Sequence, residues 1–163
     1  MRVSRRTIKK RRKEFRTDYV LRKKLLESNT PRIVIRKTNK YFIIQVVESS
    51  EAQDRVIMTT ISKELLKNGW DEKYRGSLKS ISAGYLTGLL VAKKLKKGKF
   101  IVDLGIARKI HGSRIYAVVK GLIDGGVDIV ANEKIFPSDE RLKGEHLKSE
   151  VKEMIIKAIG KIK

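Results

Sequence analysis

Cysteine is absent from these 163 residues, which excludes disulfides and thiolate metal ligands. Only His111 and His146 could offer imidazole, and they lie far apart, so no metal site and no cofactor is expected. The glycines form neither a phosphate loop of the Gly-x-x-x-x-Gly-Lys-Ser/Thr type nor a dinucleotide fingerprint, and no Ser sits in a Gly-x-Ser-x-Gly elbow. No small-molecule substrate is implied. Long apolar runs are missing too. The longest, residues 81–92, is too short for a bilayer, which needs about 20 residues. The N-terminus is basic with no apolar run behind it, so neither a signal peptide nor a membrane partner is expected, and the chain reads as cytoplasmic.

Acidic residues are also in short supply. Thirty-nine Lys and Arg stand against 18 Asp and Glu, giving a net charge of +21 and a pI near 10.3. Such an excess repels itself, and an anionic partner would relieve the cost. Nucleic acid is the commonest partner of that kind. The charge is uneven: residues 1–24 hold 12 Lys or Arg and two acids. The run Arg5, Arg6, Lys9, Lys10, Arg11, Arg12 and Lys13 has little to bury, and is expected to stay disordered or loosely helical until phosphates neutralise it. Phe15 and Tyr19 are four apart, with Leu21 and Leu25 following, which predicts a helix with one apolar side.

Hydrophobic residues still make up 40% of the chain, enough for one globular core. Residues 32–36 and 41–47 are β-branched and aromatic, with Asn39 as the turn residue between them. Residues 54–61 give a third strand after a polar loop at 48–53. Apolar residues at consecutive positions suggest that both faces of these strands are covered. Residues 62–68 read as a short helix stopped by Gly69. Residues 80–97 form the clearest helix, apolar nearly all round between 81 and 92 and therefore buried. Its small residues Ala83, Gly84, Thr87 and Gly88 would permit close approach to the sheet, and Lys93, Lys94, Lys96 and Lys97 suit its negative C-terminus. A fourth strand is expected at 100–104, a second helix at 113–124 stopped by Gly125 and Gly126, and a fifth short strand at 127–130. Residues 149–163 carry one apolar helical stripe that suits packing on the body.

The fold class is therefore α/β, a mixed five-stranded sheet in βββαβαβ order covered by helices. It divides into a basic RNA-binding N-terminal arm (1–24), a globular domain (25–147) and a C-terminal amphipathic helix (148–163).

One catalytic reading arises from Asp103 at a strand end in such an order. A metal-dependent nuclease would need further carboxylates converging on it, from Asp124, Asp128 or Glu133. The plainer role for Asp103 is to cap the turn before Gly105. RNA binding asks for less exact chemistry: cations for phosphates, flat side chains for unpaired bases. Arg16, Tyr19, Arg32, Arg36, Lys37, Lys40 and Tyr41 cluster in the N-terminal third and offer both.

A run of motifs is more specific. Arg16-Thr-Asp-Tyr19 with Arg22 and Leu25-Leu26, then Pro31-Arg-Ile-Val-Ile-Arg-Lys-Thr-Asn39, Gln45, Ala83-Gly-Tyr-Leu-Thr-Gly-Leu-Leu90, Asp103-Leu-Gly105, Gly112-Ser-Arg-Ile-Tyr-Ala117 with Lys120-Gly121, and Pro137-Ser-Asp-Glu-Arg-Leu-Lys-Gly-Glu-His146 occur in order. Together they resemble the 5S-rRNA-binding large-subunit ribosomal protein family, the eighteenth in the bacterial count, in its archaeal and eukaryotic form. The similarity spans residues 5 to about 147. Arg16 stands where Lys is usual, residues 75–80 lack the family's Cys and Asn, and Val130-Ala-Asn132 replaces Pro-His-Ser.

The resemblance implies a ribonuclease-H-like layout without catalysis. It implies a structural place in the large ribosomal subunit, with 5S rRNA, the large-subunit rRNA and neighbouring ribosomal proteins of the central protuberance as partners. It puts much of the RNA contact on the arm (Arg5, Arg6, Lys9, Lys10, Arg11, Arg12, Lys13, Arg16, Thr17, Tyr19, Arg22) and on the first hairpin (Arg36, Lys37, Thr38, Asn39, Lys40, Tyr41). Gly112, Ser113 and Arg114 would add a further contact, with Ser113 equally suited to cap a helix.

Overall fold

The computed structural model describes residues 8, 10–95 and 98–162. Arg5, Arg6, Lys9, Lys96, Lys97 and Lys163 lie outside them. Three strands, β1 (Arg32–Lys37), β2 (Phe42–Ser50) and β3 (Gln53–Ile61), form an antiparallel meander, and β4 (Ile101–Asp103) joins β1 in parallel. The sheet order is β3-β2-β1-β4. Thr38 ties the first turn: its hydroxyl accepts from the Tyr41 amide at 2.9 Å and donates to the Tyr41 carbonyl at 2.8 Å. The second turn is two residues, Glu51 and Ala52, with φ of 49° and 65°. Positive φ at both suits the strand twist of a tight hairpin. The polar loop expected at 48–53 is thus mostly ladder, because Glu48, Ser49 and Ser50 pair through their backbones with Arg55, Asp54 and Gln53.

One face of the sheet buries Ile33, Ile35, Phe42, Ile44 and Val46. Over it lie α3 (Ile81–Lys94) and α4 (Arg114–Asp124). The Ser80 hydroxyl accepts from the Ala83 amide at 3.2 Å and starts α3, and burial is continuous from Ser82 to Ala92. The small residues on α3 serve α4 more than the sheet. A Cβ on Gly88 would lie 2.3 Å from the Val118 carbonyl oxygen, and one on Gly121 would lie 2.2 Å from that of Tyr85. Gly84 also meets the sheet, through the Phe42 ring. Glycines on both helices let their backbones touch, which no side chain would permit.

A second apolar cluster gathers Leu65, Trp70 and Leu86 with Met154, Ile155, Ala158 and Ile162 of α6 (Ser149–Ile162), so the C-terminal stripe is buried on its own chain. Gly69, at φ 99°, stops the 3₁₀ turn Ser62–Asn68, and α5 (Asp139–Lys143) precedes α6.

Several expectations need correction. Among the described residues the sheet has four strands, not five, and residues 127–130 reduce to one parallel bridge between Lys99 and Asp128. Only Val127 there is buried, while Val130 is 90% exposed, and β4 is too short to carry the ladder onward. The outer strand β3 is not covered on both faces, since Val56 and Ile57 are about half exposed. Phe15 and Tyr19 do not share a helix. The one-turn α1 (Lys10–Lys13) ends before Phe15, whose φ is 52°, and α2 (Tyr19–Glu27) begins anew. The Asp18 carboxylate accepts from the Val20 and Leu21 amides at 3.0 and 3.1 Å, and that cap competes successfully with a continuous helix.

Forcing α3 and α4 apart tests this packing. Gly88→Ala is expected to cost about 2–3 kcal/mol in urea unfolding. Gly76→Ala, where an added Cβ meets nothing within 4 Å, should stay within about 0.5 kcal/mol of the parent.

Candidate nucleic-acid interface

The interface is built on an internal ion network. Arg32 opens β1 with its side chain only 3% exposed. Its Nη2 donates to Asp54 Oδ1 at 2.7 Å and to Ser49 Oγ at 2.8 Å, and its Nη1 lies 3.8 Å from Asp103 Oδ2. Both carboxylates are then extended outward. Asp54 Oδ2 accepts from Arg22 of α2 at 2.9 Å, and Arg22 also reaches the Ala52 carbonyl. Asp103 Oδ2 accepts from Arg36 at 3.3 Å, while its Oδ1 accepts from the Gly105 amide at 2.7 Å. The parallel pairing of Val34 with Asp103 supplies this register. Arg32 is therefore structural, and its guanidinium does not face solvent. Its two carboxylates tie α2, the β2–β3 turn and the loop after β4 to the sheet.

Around that network lies a cleft of about 780 Å³. It brings together Arg11, Arg16, Thr17, Arg22, Arg36, Lys37, Gly112, Ser113 and Arg114, from three separate segments of chain that the sequence had singled out. Arg108, in the loop after β4, and Arg141 of α5 line it as well. Sequence reasoning missed both. Arg108 could have been found from the Arg108-Lys109 pair close behind Gly105, whereas nothing local distinguishes Arg141 from a solvated helix charge. The two carboxylates on the lining are already used, Asp18 by the α2 amides and Asp103 by arginines, so the cleft is left strongly cationic. Leu21, Leu25, Ile35 and Ile115 add apolar lining.

Ser113 occupies the N-cap position of α4 but makes no capping bond, and its hydroxyl oxygen is buried without a partner. The preceding Gly112 has φ 66° and open space where a Cβ would stand. The Ser113 hydroxyl thus leaves the first-turn amides of this helix uncapped beside Arg114, a combination suited to an anion. Arg11 is steadied by a 2.9 Å hydrogen bond from Nε to Thr17 Oγ1.

Other expected residues do not line the cleft. Thr38, Asn39 and Lys40 are exposed at the tip of the first hairpin, and Lys10, Arg12 and Lys13 are exposed on α1. Tyr19 sits half-buried at the start of α2. Tyr41 packs against the cluster that includes Trp70 and Leu65, and its hydroxyl partners Arg75. Arg5, Arg6 and Lys9 fall outside the described residues.

The nuclease constellation does not assemble. Asp124 accepts from the Tyr85 hydroxyl at 3.0 Å and pairs with Lys120 at 2.9 Å. Burial first, and then the Asp124 charge, hold the Tyr85 hydroxyl protonated. Among the described residues no group of three or more His, Cys, Asp or Glu side chains could hold a metal ion. No helix among them is long and apolar enough to cross a membrane.

Asp54 reports on the network through pH. Burial raises its pKa, but hydrogen bonds from Arg22 and Ser49 and the charges of Arg32 and Arg22 outweigh it, leaving the value below 3.8. The stabilisation is therefore complete above that value and is lost as pH falls through the lower folded one. Asp54→Asn should cost about 2 kcal/mol at pH 7 in urea unfolding. That is less than the roughly 3–5 kcal/mol of a fully buried pair, since a third of the carboxylate is exposed. The gap to the parent should close in acid.

Comparison with known proteins bears on what fills the cleft. Residues 4–100 match the family model described as ribosomal large subunit proteins 60S L5 and 50S L18. A Methanoregula boonei protein named large ribosomal subunit protein uL18 is 43% identical over 141 residues, covering 85% of this chain and 79% of that protein. Its namesake from Korarchaeum cryptofilum is 43% identical over 143 residues, covering 86% of this chain and 71% of its own. A Methanospirillum hungatei protein of the same name is 43% identical over 141 residues, covering 85% and 78%. The cationic cleft thus belongs to a member of the large-subunit ribosomal protein family that comprises 60S L5 and 50S L18.

Proposed function

We propose that the protein is a structural constituent of the large ribosomal subunit, in the cytoplasm, that binds 5S rRNA and helps attach it to the large rRNA in the central protuberance. The observation that carries this reading is the cleft. Arginines from the α1–α2 segment, β1, the loop after β4, the start of α4 and α5 converge on it and outnumber the carboxylates beside them, Asp18 and Asp103 on the lining and Glu14 and Asp54, which pair with Arg16 and Arg22. Phosphates supply the affinity that such a surface offers, and the apolar and planar groups beside them suit unpaired bases.

Within this reading, residues 1–24 are the RNA-binding arm, 25–147 the body and 148–163 the helix that closes its far side. The RNA contacts are Arg5 to Lys13, Arg16, Thr17, Tyr19, Arg22, the first hairpin from Arg36 to Tyr41, and Gly112 to Arg114, now joined by Arg108 and Arg141. Arg32 moves from contact to support. The meander with β4 parallel beside β1 is compatible with a ribonuclease-H-like layout used as a scaffold. Neighbouring ribosomal proteins complete the partners, and the reading assigns no catalysis and no cofactor.

Equilibrium binding to 5S rRNA, a length-matched duplex and transfer RNA across a salt series tests it. A preference for 5S rRNA that persists at high salt is expected, and equal binding to all three, lost together as salt rises, would contradict it. Replacing Arg11, Arg12 and Lys13 with Ala should weaken 5S rRNA binding and make the log–log salt slope shallower by roughly two to three.

A further inference from the structure

We infer that Arg36 meets the RNA with the flat face of its guanidinium, as a fixed platform for an unpaired base, and not as a counter-ion for a phosphate. The inference rests on the RNA-binding reading above and specifies the chemistry at one position of that site.

Three of the five N–H hydrogens along the edge of this guanidinium are already taken. Nη1 donates to the Ile35 carbonyl at 3.0 Å and to the Asp103 carbonyl at 2.9 Å, which uses both of its hydrogens. Nη2 donates to Asp103 Oδ2 at 3.3 Å. Nε–H and one hydrogen of Nη2 remain, so the end-on fork to a phosphate is closed and only the side-on pair is left. The charge is also shared, because the same carboxylate oxygen faces Arg36 and the buried Arg32.

The two faces of the plane differ. A Cβ built on Gly105 would lie 3.1 Å from Cζ, 3.1 Å from Nη2 and 3.2 Å from Nη1. A point as close to the central carbon as to both nitrogens stands over the plane, not off its edge. Gly105 therefore covers one face, where an added Cβ would push the plane away by a few tenths of an ångström, at a backbone φ of 59° that itself favours glycine. The other face opens to the cleft, since the side chain keeps 44% of its surface exposed and lines that space. Four groups, the Ile35 and Asp103 carbonyls, the Asp103 carboxylate and Gly105, thus fix one plane in one orientation with one side free. Base stacking on an arginine plane uses such a surface and is tolerant of base identity. Lys37 beside it lines the same cleft with no hydrogen bond or ion pair to another described side chain and serves as the contrasting point charge.

The test compares Arg36→Lys, Arg36→Gln, Gly105→Ala and Lys37→Ala in the full chain. Each is checked for folding by thermal melt and then titrated with 5S rRNA across a salt series. Arg36→Lys keeps the charge and loses the plane. It is expected to weaken binding on the order of tenfold, as much as Arg36→Gln, with the salt slope unchanged in both. Gly105→Ala keeps the arginine but displaces its plane, and should show the same loss. Lys37→Ala should instead make the slope shallower by roughly one. Arg36→Lys binding like the parent at every salt concentration would overturn the platform, as would a shallower slope for Arg36→Gln. If the parent protein itself shows no preference for 5S rRNA, the functional reading fails before this one is reached.

Discussion

The buried guanidinium of Arg32 is the constraint around which the RNA-facing side is organised. A charge held at 3% exposure inside a small domain must be met by carboxylates, and Asp54 of β3 and Asp103 of β4 meet it from opposite sides of β1. Each carboxylate has an oxygen left for a second task. Asp54 gives one to Arg22 and so anchors α2, and Asp103 uses its pair to fix Arg36 and to turn the chain at Gly105. Two acids thereby position three arginines of which two reach the cleft. The stabilisation from such a network is modest once desolvation is counted. What it supplies is placement, in a region where a net charge of +21 would otherwise push segments apart.

That placement explains why the rest of the body is built as it is. Glycine contacts between α3 and α4 bring those helices close, which sets the start of α4, with Ser113 and Arg114, near the end of β1. The second cluster packs α6 on Leu65, Trp70 and Leu86, none of which lines the cleft. Affinity then comes from many phosphates met by spread charges, and selectivity from the few groups whose orientation is locked.

Much of this was legible in the chain because its causes are local. The meander, the nearly all-apolar 81–92 run and the C-terminal stripe all follow from patterns within one stretch of chain, and the structure bears each of them out. Features set by distant partners were not legible. Arg32 resembles any strand-edge cation until Asp54 and Asp103, far along the chain, fold onto it. The segment at 127–130 has the composition of a strand but finds only one bridge. The break at Phe15 depends on Asp18 capping α2, a competition that apolar spacing does not register. The small residues of α3 announced a close approach, but the matching Gly121 was needed to say that α4 is the neighbour. The motifs identified the family and hence many of the cleft residues, while Arg108 and Arg141 required the fold.

The central claim is that segments far apart in sequence form one RNA-binding surface. Ultraviolet cross-linking of the full chain to 5S rRNA, with the linked peptides identified by mass spectrometry, tests it most directly. Cross-links should fall together on residues 11–17, 36–37, 105–108 and 112–114. Cross-links confined to α6 or to the exposed side of β3, with those four segments bare, would contradict it.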